Sequence, residues 1–147
     1  MQDRPGVIAP PPVIFLAAFV LGWFGRRFVP YYQSFTVAAV FCVVGAALLS
    51  WGGVTMLRAR THIDPYKPAT TLVTNGPFRF TRNPLYVSVN LLYIALCVVL
   101  GLTSSLVLLP IADVVLYFGV VKREERYLES KFGDRYRAYR SKVRRWL

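Results

Sequence analysis

Two short segments concentrate the reactive side chains of this 147-residue chain. The first is Arg79-Phe80-Thr81-Arg82-Asn83-Pro84-Leu85-Tyr86, and the second is Glu124-Glu125-Arg126-Tyr127. Together they offer paired carboxylates, guanidiniums, phenols and the backbone groups of an Asn-Pro helix start. Such a set suits a polar, partly cationic cofactor meeting a lipophilic substrate. No segment has the ligand spacing of a metal site or the glycines of a phosphate loop. Glu125 carries the sharpest signal. It begins a series that continues with Leu128, Phe132, Tyr136, Tyr139 and Val143 at helical intervals. A lone carboxylate within an apolar stripe is costly unless something partners it. Glu125 therefore either forms an ion pair with an arginine of the 58–84 loop or serves a ligand.

The apolar chain between the two segments explains how they could meet. From Asn83 to Val121 the only charged residue is Asp113. As one helix that stretch would run about 58 Å, too long for one crossing of a bilayer core of about 30 Å and enough for two short ones. Gly101-Leu102-Thr103-Ser104-Ser105 is its only turn-like cluster. The hairpin that results returns residues 122–127 to residues 79–86 at one membrane face. Asn83 is expected to cap the third span with Pro84 in its first turn. The charge-free runs Pro5–Gly25 and Phe28–Leu57 each supply one further span. A cleaved signal peptide is the rival for the first run, but Pro10-Pro11-Pro12 interrupts it and no small-residue cleavage site closes it. A retained helix starting after the prolines is expected.

Composition agrees with a membrane protein. Apolar residues make up 55% and charged residues 17%, and the mean hydropathy is +0.43. The net charge of +11 excludes an acidic disordered chain, and the apolar runs are too long for a nucleic-acid module. The fold class expected is an all-α integral membrane protein in a single domain, 1–147. Its four transmembrane helices cover about 13–24, 35–56, 85–100 and 106–121, the last two forming a tight hairpin. A cytoplasmic loop, 58–84, and a C-terminal amphipathic helix in the tail, 122–147, complete it. Of the 18 Lys and Arg, only Arg26 and Arg27 fall opposite the loop and tail. The excess of basic residues near the other face places both termini in the cytoplasm. Trp23, Tyr31, Tyr32 and Trp51 sit near span ends, as interface aromatics do. Cys42 and Cys97 cannot form a disulfide framework and are expected as small buried hydrophobes. Asp113, the one ionisable group within a span, is a functional candidate by position, though a hydrogen bond across the hairpin would also account for it. His62 is expected to be a plain loop residue.

Further residues carry a resemblance. Leu72-Val73-Thr74-Asn75-Gly76-Pro77-Phe78-Arg79-Phe80-Thr81-Arg82-Asn83-Pro84-Leu85-Tyr86, followed after a hairpin by Glu124-Glu125-Arg126-Tyr127-Leu128, Phe132-Gly133, Tyr136 and Tyr139, resembles the integral-membrane methyltransferases. These include isoprenylcysteine carboxyl methyltransferase and bacterial phospholipid N-methyltransferases. The resemblance covers about residues 58–147. It implies an S-adenosylmethionine-dependent enzyme with its cofactor at the cytoplasmic face of a membrane, the inner membrane in a bacterium, and a lipophilic acceptor. By position, Arg82, Asn83, Pro84, Tyr86, Glu124 and Glu125 would line the cofactor site. The isoprenylcysteine enzymes carry His where this chain has Asn83, and an amide cannot titrate near neutral pH.

Physical roles follow for that cofactor. Glu125 and Glu124 suit its ammonium or ribose hydroxyls, and Arg79 or Arg82 its carboxylate. Tyr86 and Tyr127 could pack on the adenine or the sulfonium, a cation over an aromatic face being favourable by about 0.5–2 kcal/mol. If the acceptor is a carboxylate, Arg140 is a candidate to orient it, whereas an amine acceptor would need a base such as Glu125. Other readings stand beside this one: a phospholipid ethanolamine N-methyltransferase, an NADPH-dependent membrane reductase, and a non-enzymatic protein whose basic tail binds membrane lipids.

Overall fold

The computed structural model describes residues 6–64 and 66–146. Among them there are helices and no strand: α1 (Pro11–Gly25), α2 (Phe35–Arg58), α3 (Pro84–Val99), α4 (Thr103–Leu116), α5 (Lys122–Phe132) and α6 (Asp134–Lys142). A one-turn 3-10 helix, Gly76–Arg79, interrupts the loop before α3, and a π-helical turn, Tyr117–Val121, joins α4 to α5 without a break. Two helices are long and apolar enough to cross a membrane, Phe35–Arg58 and the continuous Thr103–Phe132. Helices α1 and α3 are apolar but shorter, at 15 and 16 residues.

Helix α2 is patterned inside out. Its buried positions are the small residues Ala38, Gly45, Gly52 and Thr55, while Val40, Val43, Val44, Trp51, Val54 and Leu57 are exposed. A continuous exposed apolar face of this kind belongs against lipid or another protein. Cys42 lies on it and is exposed, unlike the buried Cys97. The expectation that both cysteines are buried fails at Cys42 because the outer face of α2 has no helix against it.

The helices pair as α2 with α3 and α1 with α4, while α3 and α4 touch sparsely along their length. Small residues permit the close pairs. Gly45 lies against Leu91 and Leu92, Gly52 against Leu85, and Gly22 against Ser105. Ser104 Oγ donates to the Gly22 carbonyl at 2.6 Å and Ser105 Oγ to that of Phe19 at 3.2 Å. Interhelical hydrogen bonds from serines beside glycines are the usual adhesive where lipid removes the hydrophobic drive.

Three boundaries differ from expectation, each for a local reason. The first helix includes Pro11 and Pro12, since the first turn of a helix has N–H groups to spare. The hairpin turn is tighter than five residues: Gly101 takes φ +66°, a conformation glycine adopts freely, and Thr103 already begins α4. The tail is two helices, not one. Helix α5 prolongs α4, and Gly133, at φ +54°, turns the chain into α6. In the π turn the Gly119 carbonyl accepts from the Ile8 N–H at 3.1 Å, which ties the start of the described chain to the exit of the long helix.

Candidate functional site

Helix α3 begins beside the point where α5 leaves the π turn, and this juxtaposition builds a cavity of about 310 Å³. Its walls come from α2 and the loop after it, the start of α3, one face of α5, and α6, with Pro11 and Pro12 of α1 at one edge. Arg82, Asn83, Pro84, Tyr86, Glu124, Glu125 and Tyr127 all line it. Leu128, Tyr136 and Tyr139 line it too, so three residues of the tail's apolar stripe face this cavity, while Phe132 and Val143, on either side of the turn at Gly133 and α6, lie outside its lining.

The two carboxylates have different surroundings. Glu124 accepts from the Tyr86 hydroxyl at 2.9 Å on each of its oxygens. Burial pushes its pKa up to about 7, with the Tyr86 hydrogen bond opposing the rise and the charge of Glu125 adding to it. Glu125 is the centre of an ion network. Arg145 donates to both its oxygens, Nε at 3.0 Å and Nη2 at 2.9 Å, and Arg82 Nη1 lies 3.3 Å from Oε1. The expected pairing of Glu125 with an arginine of the 58–84 loop is thus present, with a second arginine from the tail. The hydrogen bond to Glu125 raises the pKa of Arg145 further, and burial beside that carboxylate pushes Tyr136 up to about 12.

Arg82 remains under-used. Its side chain is 9% exposed, yet Nε makes no hydrogen bond and Nη1 has only its ion-pair contact with Glu125. Buried guanidinium N–H groups without acceptors are costly, so the cavity presents donors that an anionic group would satisfy.

The last described residues close one side of the site. The Arg145 carbonyl accepts from Thr81 Oγ1 at 2.9 Å and from Asn83 Nδ2 at 3.0 Å, and the Arg144 carbonyl accepts from the Arg82 N–H at 2.9 Å. Tyr139 Oη donates to the Phe78 carbonyl at 2.7 Å, tying α6 to the 3-10 turn. Asn83 therefore does not cap α3 with its side chain. Its amide is engaged by the tail, and its own carbonyl accepts from Tyr86 and Val87. On the opposite wall, the Ala69 N–H donates to Tyr127 Oη at 3.2 Å, as does Lys131 Nζ.

Two candidates lie outside the cavity lining. Arg79 is exposed on the 3-10 turn. Arg140 is exposed on α6, where its Nη1 donates to Glu129 at 2.9 Å. The turn at Gly133 accounts for Arg140, since α6 points its tyrosines inward and its basic residues out. Conversely, His62 lines the cavity, as do Asp64 and Lys67 of the same loop. Arg145 has no helical relation to Glu125, so periodicity could not have paired them.

The geometry can be set beside known proteins. The model of a family described as phospholipid methyltransferase matches residues 33–135. The chain belongs to the phospholipid methyltransferase family. The match runs from just before α2 into the start of α6. It includes both halves of the cavity but neither α1 nor the Arg145 segment. A stretch of 60 residues is also 50% identical to an uncharacterized protein of Haemophilus influenzae, covering 40% of this chain and 95% of that protein. No solved structure matches. Membership in this family, with the apolar helices, makes the chain a membrane protein of the methyltransferase type. It agrees with the resemblance drawn from the two motifs.

Proposed function

We propose that this phospholipid methyltransferase family member transfers a methyl group from S-adenosylmethionine to a lipophilic acceptor at the cytoplasmic face of the membrane. One observation carries the reading. A single cavity presents the Glu124 carboxylate, held only by a phenol, and the Arg82 guanidinium, whose Nε has no partner beside the Nη1 contact with Glu125. An α-amino acid end carries the complementary pair of charges, an ammonium for Glu124 and a carboxylate for Arg82. The residues fit that end of the cofactor, and the cavity volume lies at the lower end of the roughly 300–1,000 Å³ common for small-molecule sites.

The cofactor supplies an activated methyl on a positively charged sulfur, and displacement there needs alignment and exclusion of water more than acid–base help. This chain's residues meet those needs. Tyr86 orients Glu124, and Tyr127 and Tyr136 add aromatic wall. Glu125 holds Arg82 and Arg145 in register; with both oxygens engaged, it acts as a positioning residue. Asn83 cannot titrate and is committed to the tail, so it is no base. An acceptor that is already anionic needs none. Leu49, Met56, Leu85 and Val89 extend the lining between α2 and α3 and give an acceptor's chain an apolar bed. The remaining topology follows the charge bias: four spans, with α1 and α3 as the short ones, both termini cytoplasmic, and in a bacterium the inner membrane.

The test is equilibrium binding of S-adenosylmethionine to the detergent-purified protein, with NADPH alongside. S-adenosylmethionine should bind, and Glu124→Gln should weaken it about tenfold or more, as loss of a hydrogen bond between charged groups does. Binding of NADPH alone would move the chain to the reductases. Binding of neither to a folded sample would favour the lipid-binding reading.

A further inference from the structure

The first cavity leaves Asp113 unexplained. It sits in the middle of the long apolar helix, and its Oδ1 is buried without a hydrogen-bond partner. A bilayer core offers no water to such an atom, so a polar group left unsatisfied there is costly. Asp113 also lines a second cavity. A crevice of about 510 Å³ opens between α3 and α4, walled by Val87, Asn90, Leu91, Asp113, Val114 and Tyr117, with Trp146 at its cytoplasmic end. The crevice exists because α3 leans on α2 and α4 on α1, so the hairpin's two arms stand apart.

This crevice is separate from the methyl-transfer cavity. Helix α3 turns Leu85, Tyr86 and Val89 to the first and Val87, Asn90 and Leu91 to the second. Asp113 precedes Glu124 by eleven residues, about 16 Å along the helix. Asn90 lies beside the carboxyl, but its amide also donates to the Tyr86 carbonyl at 3.1 Å, and the Tyr117 hydroxyl accepts from Arg145, so Oδ1 keeps an open acceptor position. No lining residue is cationic, and Arg145, the nearest cation in this chain of contacts, is bound to Glu125.

We propose that the α3–α4 crevice is a binding site for an amphiphile whose polar end donates a hydrogen bond to Asp113, an ammonium or a hydroxyl, with its chain along Val87, Leu91 and Val114. The open position on Oδ1 is an acceptor, so a head with an N–H or O–H fits it and an ether, which has neither, does not. The apolar walls select a chain, and the half-exposed Val114 leaves the crevice open to the bilayer. This site stands whether or not the first cavity takes S-adenosylmethionine.

The test is photo-crosslinking of the full-length protein in phosphatidylcholine nanodiscs, whose headgroups carry no donor. Three diazirine probes share one long alkyl chain and end in an alcohol, a primary amine or a methyl ether. The peptides holding Val87–Leu91 and Asp113–Tyr117 should label about tenfold more with the alcohol or the amine than with the ether. The stronger of the two names the head group. Asp113→Leu should abolish the preference; it removes a buried polar group from a membrane helix, so its helicity and thermal unfolding should match or exceed the parent's. Val114→Trp, which crowds the crevice from its exposed side and keeps Asp113, should lower labelling by all three probes. Equal labelling by the ether, or an unchanged preference in Asp113→Leu, overturns the proposal.

Discussion

The two ends of this helical bundle are held together by different forces. At the end where α3 starts and α5 leaves the π turn, contacts are polar and mutually dependent. Glu125 joins Arg82 and Arg145, the Arg145 carbonyl joins Thr81 and Asn83, and Tyr86 joins Glu124. At the other end, contacts depend on close approach, which also lets the Ser104 and Ser105 hydroxyls reach α1 carbonyls. Gly22 admits Ser105, Gly45 admits Leu91 and Leu92, and the small face of α2 admits α3. Changes of charge should therefore act at one end and changes of volume at the other.

The largest expected effect comes from cutting the ion network. Arg82 and Glu125 are about 9% and 10% exposed at their side chains, and removing one partner of a buried pair typically costs about 3–5 kcal/mol. Arg82→Met should fall near the lower end of that range, because Arg145 still covers Glu125. Thermal unfolding in detergent checks this. Adding Glu125→Gln to Arg82→Met should cost clearly less than Glu125→Gln costs alone, since Arg82 is no longer there to be left without its partner. If the second change only adds to the first, the network is not the mutually dependent unit described above.

The next effect tests the other end. A Cβ on Gly22 would meet Ser105, including its backbone, so Gly22→Val must push α1 from α4. Overpacking of this kind costs about 1–3 kcal/mol. Gly25→Val, one turn away where the nearest contact is an ordinary 3.6 Å to Ser104, should cost clearly less. Equal losses would show that the pairing depends on something other than close approach.

This contrast also explains what the sequence could and could not disclose. Helix positions were legible because charge-free runs of bilayer length leave few alternatives. The meeting of residues 79–86 with 122–127 followed from the hairpin, and the apolar stripe through Glu125 located the cavity wall. The pairing of α1 with α4 and α2 with α3 was not legible. It depends on which face holds the glycines, and both faces of α2 are apolar. The π turn and the break at Gly133 were also hidden, because a stripe at helical spacing hides a helix that changes direction. Arg145 was missed for a related reason. It sits in extended chain past the last helix, and only folding brings it to Glu125. Arg140, which does lie on the periodic helix, points outward to Glu129.

The smallest effect sharpens the comparison at the polar end, between two adjacent residues. Glu124 has its pKa raised to about 7, from a usual value of 4.5, mainly by burial. A carboxyl whose folded pKa exceeds its unfolded one binds more protons when folded, so its contribution to stability declines as pH rises from about 4.5 through 7. Binding of a cation beside it runs the other way, because only the ionised form attracts an ammonium. Affinity for S-adenosylmethionine should therefore rise several-fold between about pH 6 and pH 8 and level off above, with the change centred near 7. Tyr86→Phe removes the hydrogen bond that favours the ionised form, so the midpoint should move upward. Glu124→Gln should flatten the profile altogether, whereas Glu125→Gln should weaken binding through Arg82 and leave the midpoint near 7 or slightly lower, the neighbouring charge being gone. A profile that stays steep in Glu124→Gln would assign the titration to another group and remove Glu124 from the ammonium site.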